Sequence, residues 1–126
     1  MFTIDAVVLY VKDLDKTEQF YSALFSTTGS RFSPTFLSFE LSPHLSVHFK
    51  LASAVLPESE VTGGGGELVL ATAGESELNN LFNEWIKWGV SVVQEPIYLP
   101  FGYTFVVADP DNHRIRVWCK SMHKSL

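Results

Sequence analysis

Hydrophobic and polar residues alternate most clearly near the C-terminus, in the stretch GYTFVVADPDNHRIRVW from Gly102 to Trp118. Tyr103, Phe105 and Val107 alternate with Thr104 and Val106. Ile115 and Val117 alternate with Arg114, Arg116 and Trp118. A period of two puts successive side chains on opposite faces of a pleated strand, so each run predicts one. Asp109-Pro110-Asp111-Asn112 between them predicts a tight turn. Proline presets φ near −65°, aspartate bonds nearby backbone, and asparagine tolerates a left-handed conformation. The same plan occurs earlier, in FLSFELSPHLSVHF from Phe36 to Phe49, around Ser42-Pro43-His44. A strand-turn-strand written twice predicts two duplicated modules.

The remaining periodicity completes both modules. The β-branched run Phe2 to Val11 predicts a first strand, with Val7, Leu9 and Val11 on one face and Ala6, Val8 and Tyr10 on the other. Asp13 or Asp15 can cap a helix whose apolar stripe is Leu14, Thr17, Phe20, Tyr21 and Leu24, ending before Gly29. A short strand near Arg31 and Phe32 then precedes the strand pair from Phe36 to Leu51. Residues 57–66, PESEVTGGGG, are the one break in composition. Four glycines hold no regular structure cheaply, and no Lys-Ser/Thr follows to make a phosphate cradle, so the segment reads as a linker. After it come a strand from Glu67 to Thr72 and a helix capped by Ser76 with the stripe Leu78, Leu81, Phe82, Trp85 and Ile86, closed by Gly89. That spacing assigns Trp85 to the core and Trp88 to an edge. Val90 to Val93 reads as a strand, and Gln94 to Phe101, with Pro96 and Pro100, as a loop. The chain is therefore an α+β protein of two βαβββ modules, residues 1–56 and 67–126, joined by residues 57–66.

Composition narrows the function classes. Across 126 residues, 14 acidic side chains against 9 Lys and Arg give a net charge of −5, too little positive field to hold a phosphate backbone, so no nucleic-acid partner is expected. No run approaches the ~18 apolar residues of a membrane span. Cys119 is the single cysteine, which permits no internal disulfide and suits a reducing compartment. Met1-Phe2-Thr3-Ile4 leads directly into a strand, without the basic segment, apolar core and cleavage site of a signal peptide. A cytoplasmic location is expected.

The two βαβββ modules, VVLYVKDLDKTEQFY at the first strand-to-helix junction, and YTFVVADPDNHRIRVW near the end resemble the vicinal oxygen chelate superfamily, which includes glyoxalase I, extradiol dioxygenases and bleomycin-resistance proteins. The tail LFNEWIKWGVSVVQEP…FGYTFVVADPDNHRIRVW looks most like its antibiotic-binding members, in particular the phenazine-resistance type. The resemblance covers essentially the whole chain. It implies a glyoxalase/bleomycin-resistance-like fold, in which a curved mixed sheet surrounds a cleft and helices cover the outer faces. It also implies a homodimer.

Metal-using members of that superfamily carry ligands on the first and last strands of each module. The resemblance puts those positions at Ala6, His48, Glu67 and Arg116. A divalent cation needs about three neutral imidazole or anionic ligands. Alanine has no lone pair and arginine is a fixed cation, so no metal or other cofactor is expected. The metal-polarised chemistry of glyoxalases and dioxygenases falls with it. Glu67 and Arg116 are expected to pair on the cleft floor. His48 reads as a strand histidine; His44, His113 and His123 lie in turns or the tail, and Cys119 as a packed thiol. Aromatic residues make up 13% of the chain, and strand parity turns Tyr10 and Trp118 the same way as Ala6 and Arg116. The segment from Tyr98 to Tyr103 is placed to overhang the opening. The expected ligand-binding set is thus Tyr10, His48, Glu67, Tyr98, Phe101, Tyr103, Arg116 and Trp118, with no catalytic residue. The expected function is metal-free sequestration of a small planar aromatic, antibiotic-like ligand in a dimer cleft. The alternatives are a metal-dependent lyase, isomerase or dioxygenase, and a protein-interaction module.

Overall fold

A computed structural model describes residues 1–120 of the chain; His123 lies outside them. Contacts divide the chain into two units, Met1–Gly63 and a second beginning at Gly64. Each is a four-stranded mixed sheet with one α-helix against it, in the order βαβββ.

In the first unit, β1 (Ala6–Val11) leads into α1 (Leu14–Phe25), followed by β2 (Ser30–Ser33), β3 (Phe36–Ser42) and β4 (Leu45–Leu51). The sheet order is β1-β4-β3-β2, with β1 parallel to β4 and the other pairs antiparallel. The first strand is shorter than its apolar run: Phe2 and Ile4 lie before it and are exposed. Asp13 caps α1, its carboxylate accepting the Lys16 amide at 3.0 Å. Asp15 instead meets Arg31 at 2.8 Å, tying β2 to the helix. The helix stops where Ser26 enters the left-handed region at φ 53°. Its stripe Leu14, Thr17, Tyr21 and Leu24 is buried, with the Tyr21 ring 4.4 Å from that of Phe49. Leu37, Phe39, Val47, Phe49 and Val11 complete this core, so Phe39 and Phe49 belong to packing.

In the second unit, β5 (Glu67–Ala71) leads into α2 (Glu75–Lys87), then β6 (Ser91–Leu99), β7 (Gly102–Ala108) and β8 (Arg114–Cys119). The sheet order is β5-β8-β7-β6, again with one parallel pair, β5 and β8. Leu78 and Trp85 of α2 are buried, and Trp85 and Phe82 set their rings edge-on to Phe105 at 5.4 and 5.1 Å. Trp88 is 47% exposed at the helix end. Two expectations are corrected here. Gly74, not Ser76, is the N-cap of α2, and Ser76 lies inside its first turn. Residues 94–99 are not a loop: β6 runs through Pro96 to Leu99. Proline is tolerated because β6 is an edge strand, and the register shifts between Gln94 and Ile97 across the missing donor.

The Asp109 turn joins β7 to β8 as its composition predicts. Asn112 sits at φ 66°. The Asp109 Oδ1 accepts the amides of Asp111 and His113 at 2.8 and 2.9 Å. His113 has a partner the sequence did not reveal: its Nδ1 lies 2.7 Å from Asp109 Oδ2, with both side chains almost fully buried. No helix among the described residues is long and apolar enough to cross a membrane.

Candidate functional site

The period of two in β7 and β8 decides what the second sheet presents on each face. Ile115, Val117 and Cys119 of β8 are buried, as are Phe105 and Val107 of β7, the side on which Phe105 meets the α2 rings. Arg116 and Trp118 therefore project from the opposite face, beside Thr104 across the β7–β8 ladder and Val69 across the parallel β5–β8 ladder. Burial pushes the Cys119 thiol pKa up, partly offset by a hydrogen bond with Thr72, which keeps the thiol protonated and unreactive.

A cavity of about 330 Å³ opens on that face, lined by Glu67, Val69, Phe101, Arg116 and Trp118. Its polar centre is an ion pair: Arg116 Nε donates to Glu67 Oε1 at 2.7 Å, with the two side chains 18% and 31% exposed. Arg116 Nη1 also donates to Thr104 Oγ1 at 3.2 Å, and Thr104 in turn donates to the Val117 carbonyl at 2.7 Å. The Arg116 guanidinium carbon lies 5.4 Å from the centre of the Phe101 ring, within cation–π range. Phe101 stands edge-on to Trp118, centroids 6.4 Å apart and planes at 66°. The result is an apolar, partly aromatic cavity with one fixed ion pair in its lining, the usual form of a small-molecule site.

Four of the expected ligand residues, Glu67, Phe101, Arg116 and Trp118, thus come together. Tyr98 and Tyr103 do not join them. They face each other across the β6–β7 ladder with ring centroids 4.5 Å apart, and their hydroxyls donate to Glu75 and Asn79 of α2. Tyr103 shares the face of its cross-strand partner, the buried Cys119, so parity alone assigns it to the helix side. The Glu75 hydrogen bond raises the Tyr98 pKa to about 12.

Tyr10 and His48 belong to the first unit, on the sheet face away from α1. Register sets His48 beside Val8 and Ser38, and Lys50 beside Tyr10 and Phe36. The His48 ring lies 5.0 Å from that of Phe36, and Lys50 donates to Thr35 Oγ1 at 2.8 Å. Among the described residues, Ser38 Oγ and His48 Nδ1 are buried without a hydrogen-bond partner. Val69 and Thr104 were missed as site residues, although alternation with Glu67 and with Phe105 would have found both.

The donor chemistry does not fit a divalent cation. Ala6 has no lone pair, the Glu67 carboxylate is already held by a guanidinium, and Arg116 repels a dication. No group of three or more His, Cys, Asp and Glu side chains among the described residues is placed to hold a metal.

Fold and sequence together place the chain: residues 3–117 match the model of the Glyoxalase/Bleomycin resistance protein/Dioxygenase superfamily, and the protein belongs to that family. Among individual proteins, it is similar to the phenazine antibiotic resistance protein EhpR of Enterobacter agglomerans, 28% identical over 113 residues that span 87% of this chain and 86% of that one. It is also similar to protein ATC0852 of Agrobacterium tumefaciens, whose solution structure superposes with a TM-score of 0.86 at 37% identity, covering 96% of this chain and 99% of that one. A glyoxalase-related enzyme of Fulvimarina pelagi shares the fold, with a TM-score of 0.83 at 19% identity over 95% of this chain and 89% of its own.

Proposed function

We propose that this protein is a metal-free binding protein that sequesters a small planar aromatic, antibiotic-like ligand, and that the cavity of the second unit is its binding site. One observation carries the reading: an ion pair fixed by Thr104 lies beside Phe101 and Trp118, and two of the four expected metal positions, Ala6 and Arg116, offer a cation no ligand. The similarity to a phenazine antibiotic resistance protein supports the ligand class. A fused aromatic ring offset-stacked on Trp118 gains about 0.5–1.5 kcal/mol beyond the area it buries. Glu67 and Arg116 strengthen their attraction when the ligand displaces water from around them.

The test is titration of wild type and Trp118→Leu with phenazine, followed by tryptophan emission. Saturable quenching is expected, arising mainly from Trp118 because Trp85 is buried under Phe105. Trp118→Leu should weaken binding about fivefold, the equivalent of roughly 1 kcal/mol, without lowering thermal stability. Unchanged affinity would move the ligand elsewhere; no saturable binding across a panel of planar aromatics would favour an interaction module. Stoichiometric zinc, nickel or manganese retained after desalting would revive the metal-dependent lyase reading.

The proposal extends to a homodimer. Among the described residues each sheet ends on strands with an unpaired edge, β1 and β2 in one and β5 and β6 in the other. A two-fold partner is a common way to cover such edges. Sedimentation at micromolar concentration should give twice the 14.1 kDa chain mass.

A further inference from the structure

Arg116 has more hydrogen-bonding capacity than its neighbours use. Its Nε is committed to Glu67 and one Nη1 hydrogen to Thr104, while Nη2 donates to no group among the described residues. Nη2 is not among the buried polar atoms lacking a partner, so it remains accessible, and Arg116 lines the cavity. Glu67 holds the guanidinium through Nε alone rather than by a two-pronged pair, which leaves Nη2 with both hydrogens unspent. Thr104, itself anchored on the Val117 carbonyl, and the Phe101 ring fix the plane of the fork. A guanidinium held on three sides and open on the fourth is preorganised for an acceptor, and a carboxylate makes the shortest and strongest such bonds.

We infer that the ligand of this cavity is an aromatic carboxylate: its ring system lies against Trp118 and Phe101, and its carboxylate accepts from Nη2 of Arg116. This rests on the proposed aromatic-binding function and specifies the chemical class of its ligand. Glu67 has a second role in this arrangement. It orients Arg116, but its negative charge also opposes the incoming carboxylate, so it limits affinity for an anion while leaving affinity for a neutral ring system nearly unaffected.

The experiment compares phenazine-1-carboxylate with phenazine-1-carboxamide, near-isosteres that differ in charge, by calorimetric titration at neutral pH and low salt. The carboxylate should bind about tenfold more tightly to wild type, the scale of one charge-assisted hydrogen bond. Added salt should narrow the gap. In Glu67→Gln, which keeps a hydrogen-bond acceptor for Nε, carboxylate affinity should rise several-fold while carboxamide affinity stays level. In Arg116→Gln, checked for folding by thermal melt, the preference should vanish. Equal affinity of the two compounds for wild type overturns the carboxylate inference and leaves aromatic binding standing. Failure of both to bind overturns both readings. A preference that survives in Arg116→Gln, or carboxylate affinity that falls in Glu67→Gln, shows that the carboxylate is read by another group and refutes the inference even where the first arm succeeds.

Discussion

Replacing Asp109 with alanine tests the geometry that presents the site. The Asp109 carboxylate is 1% exposed, and its contacts include the Asp111 amide at 2.8 Å, the His113 amide at 2.9 Å and His113 Nδ1 at 2.7 Å. Alanine removes the acceptor for all three at once. A buried amide left without a partner costs about 1–3 kcal/mol, and the bond to His113 involves a charged carboxylate, worth about 1.5–3 kcal/mol. Water entering the vacated space satisfies part of this, so the low end of each range applies and the total is about 3.5 kcal/mol. That corresponds to roughly 13 °C in melting temperature for a chain of this size. Asp109→Asn keeps one oxygen for the two amides, and His113 can shift its tautomer to accept from the new amide group, so its cost should be about 1 kcal/mol. Urea denaturation of wild type and both variants, with thermal melts alongside, measures the difference. An Asp109→Ala midpoint within error of wild type, or an Asn variant as damaged as the alanine one, would refute the assignment of the turn's stability to this carboxylate.

Three further outcomes follow from other parts of the fold. Gly102 has φ +147°, and a Cβ there would lie 2.3 Å from the Cys119 carbonyl oxygen, so Gly102→Ala should destabilise by about 3 kcal/mol or more in urea denaturation. Ser38 is 3% exposed and its hydroxyl has no partner among the described residues, so Ser38→Ala should raise stability by about 1 kcal/mol; a loss of that size would mean the hydroxyl has a partner in solution. The Tyr98 pKa is raised by its hydrogen bond to Glu75, so ultraviolet titration should show one phenol ionising near pH 12, returning towards its ordinary range in Glu75→Gln. Because the folded value lies above the unfolded one of about 10, that bond's contribution is complete below about pH 10 and lost as pH rises through about 12.

Much of this arrangement was legible because local rules determine it. Parity along β8 placed Arg116 and Trp118 on one face, and β5 begins at Glu67, which the parallel ladder sets beside Arg114 and one step from Arg116. The turn at Asp109 was readable from its composition. What was not legible depends on position within the sheet. Pro96 looked like a loop marker because the sequence does not say that β6 is an edge strand, where a missing amide is tolerated. Tyr98 followed into the site with that loop. Tyr103 could have been assigned correctly, since it alternates with Thr104 and pairs in phase with Phe105. The burial of His113 and its bond to Asp109 required the closed turn, which no periodicity encodes.

The alternation along β8 has a consequence for how this protein can change. Residues 115, 117 and 119 hold the sheet to its helix; 116 and 118 address the cavity. Folding and recognition are thus written in the same short strand but in separate letters, so ligand preference can drift through substitutions at 116 and 118 without disturbing the packing beneath. Insertions are another matter. One extra residue in the Asp109 turn would reverse the phase, sending an arginine into the helix interface and a valine to the cavity. The strand tolerates respelling at every second position and no change of frame.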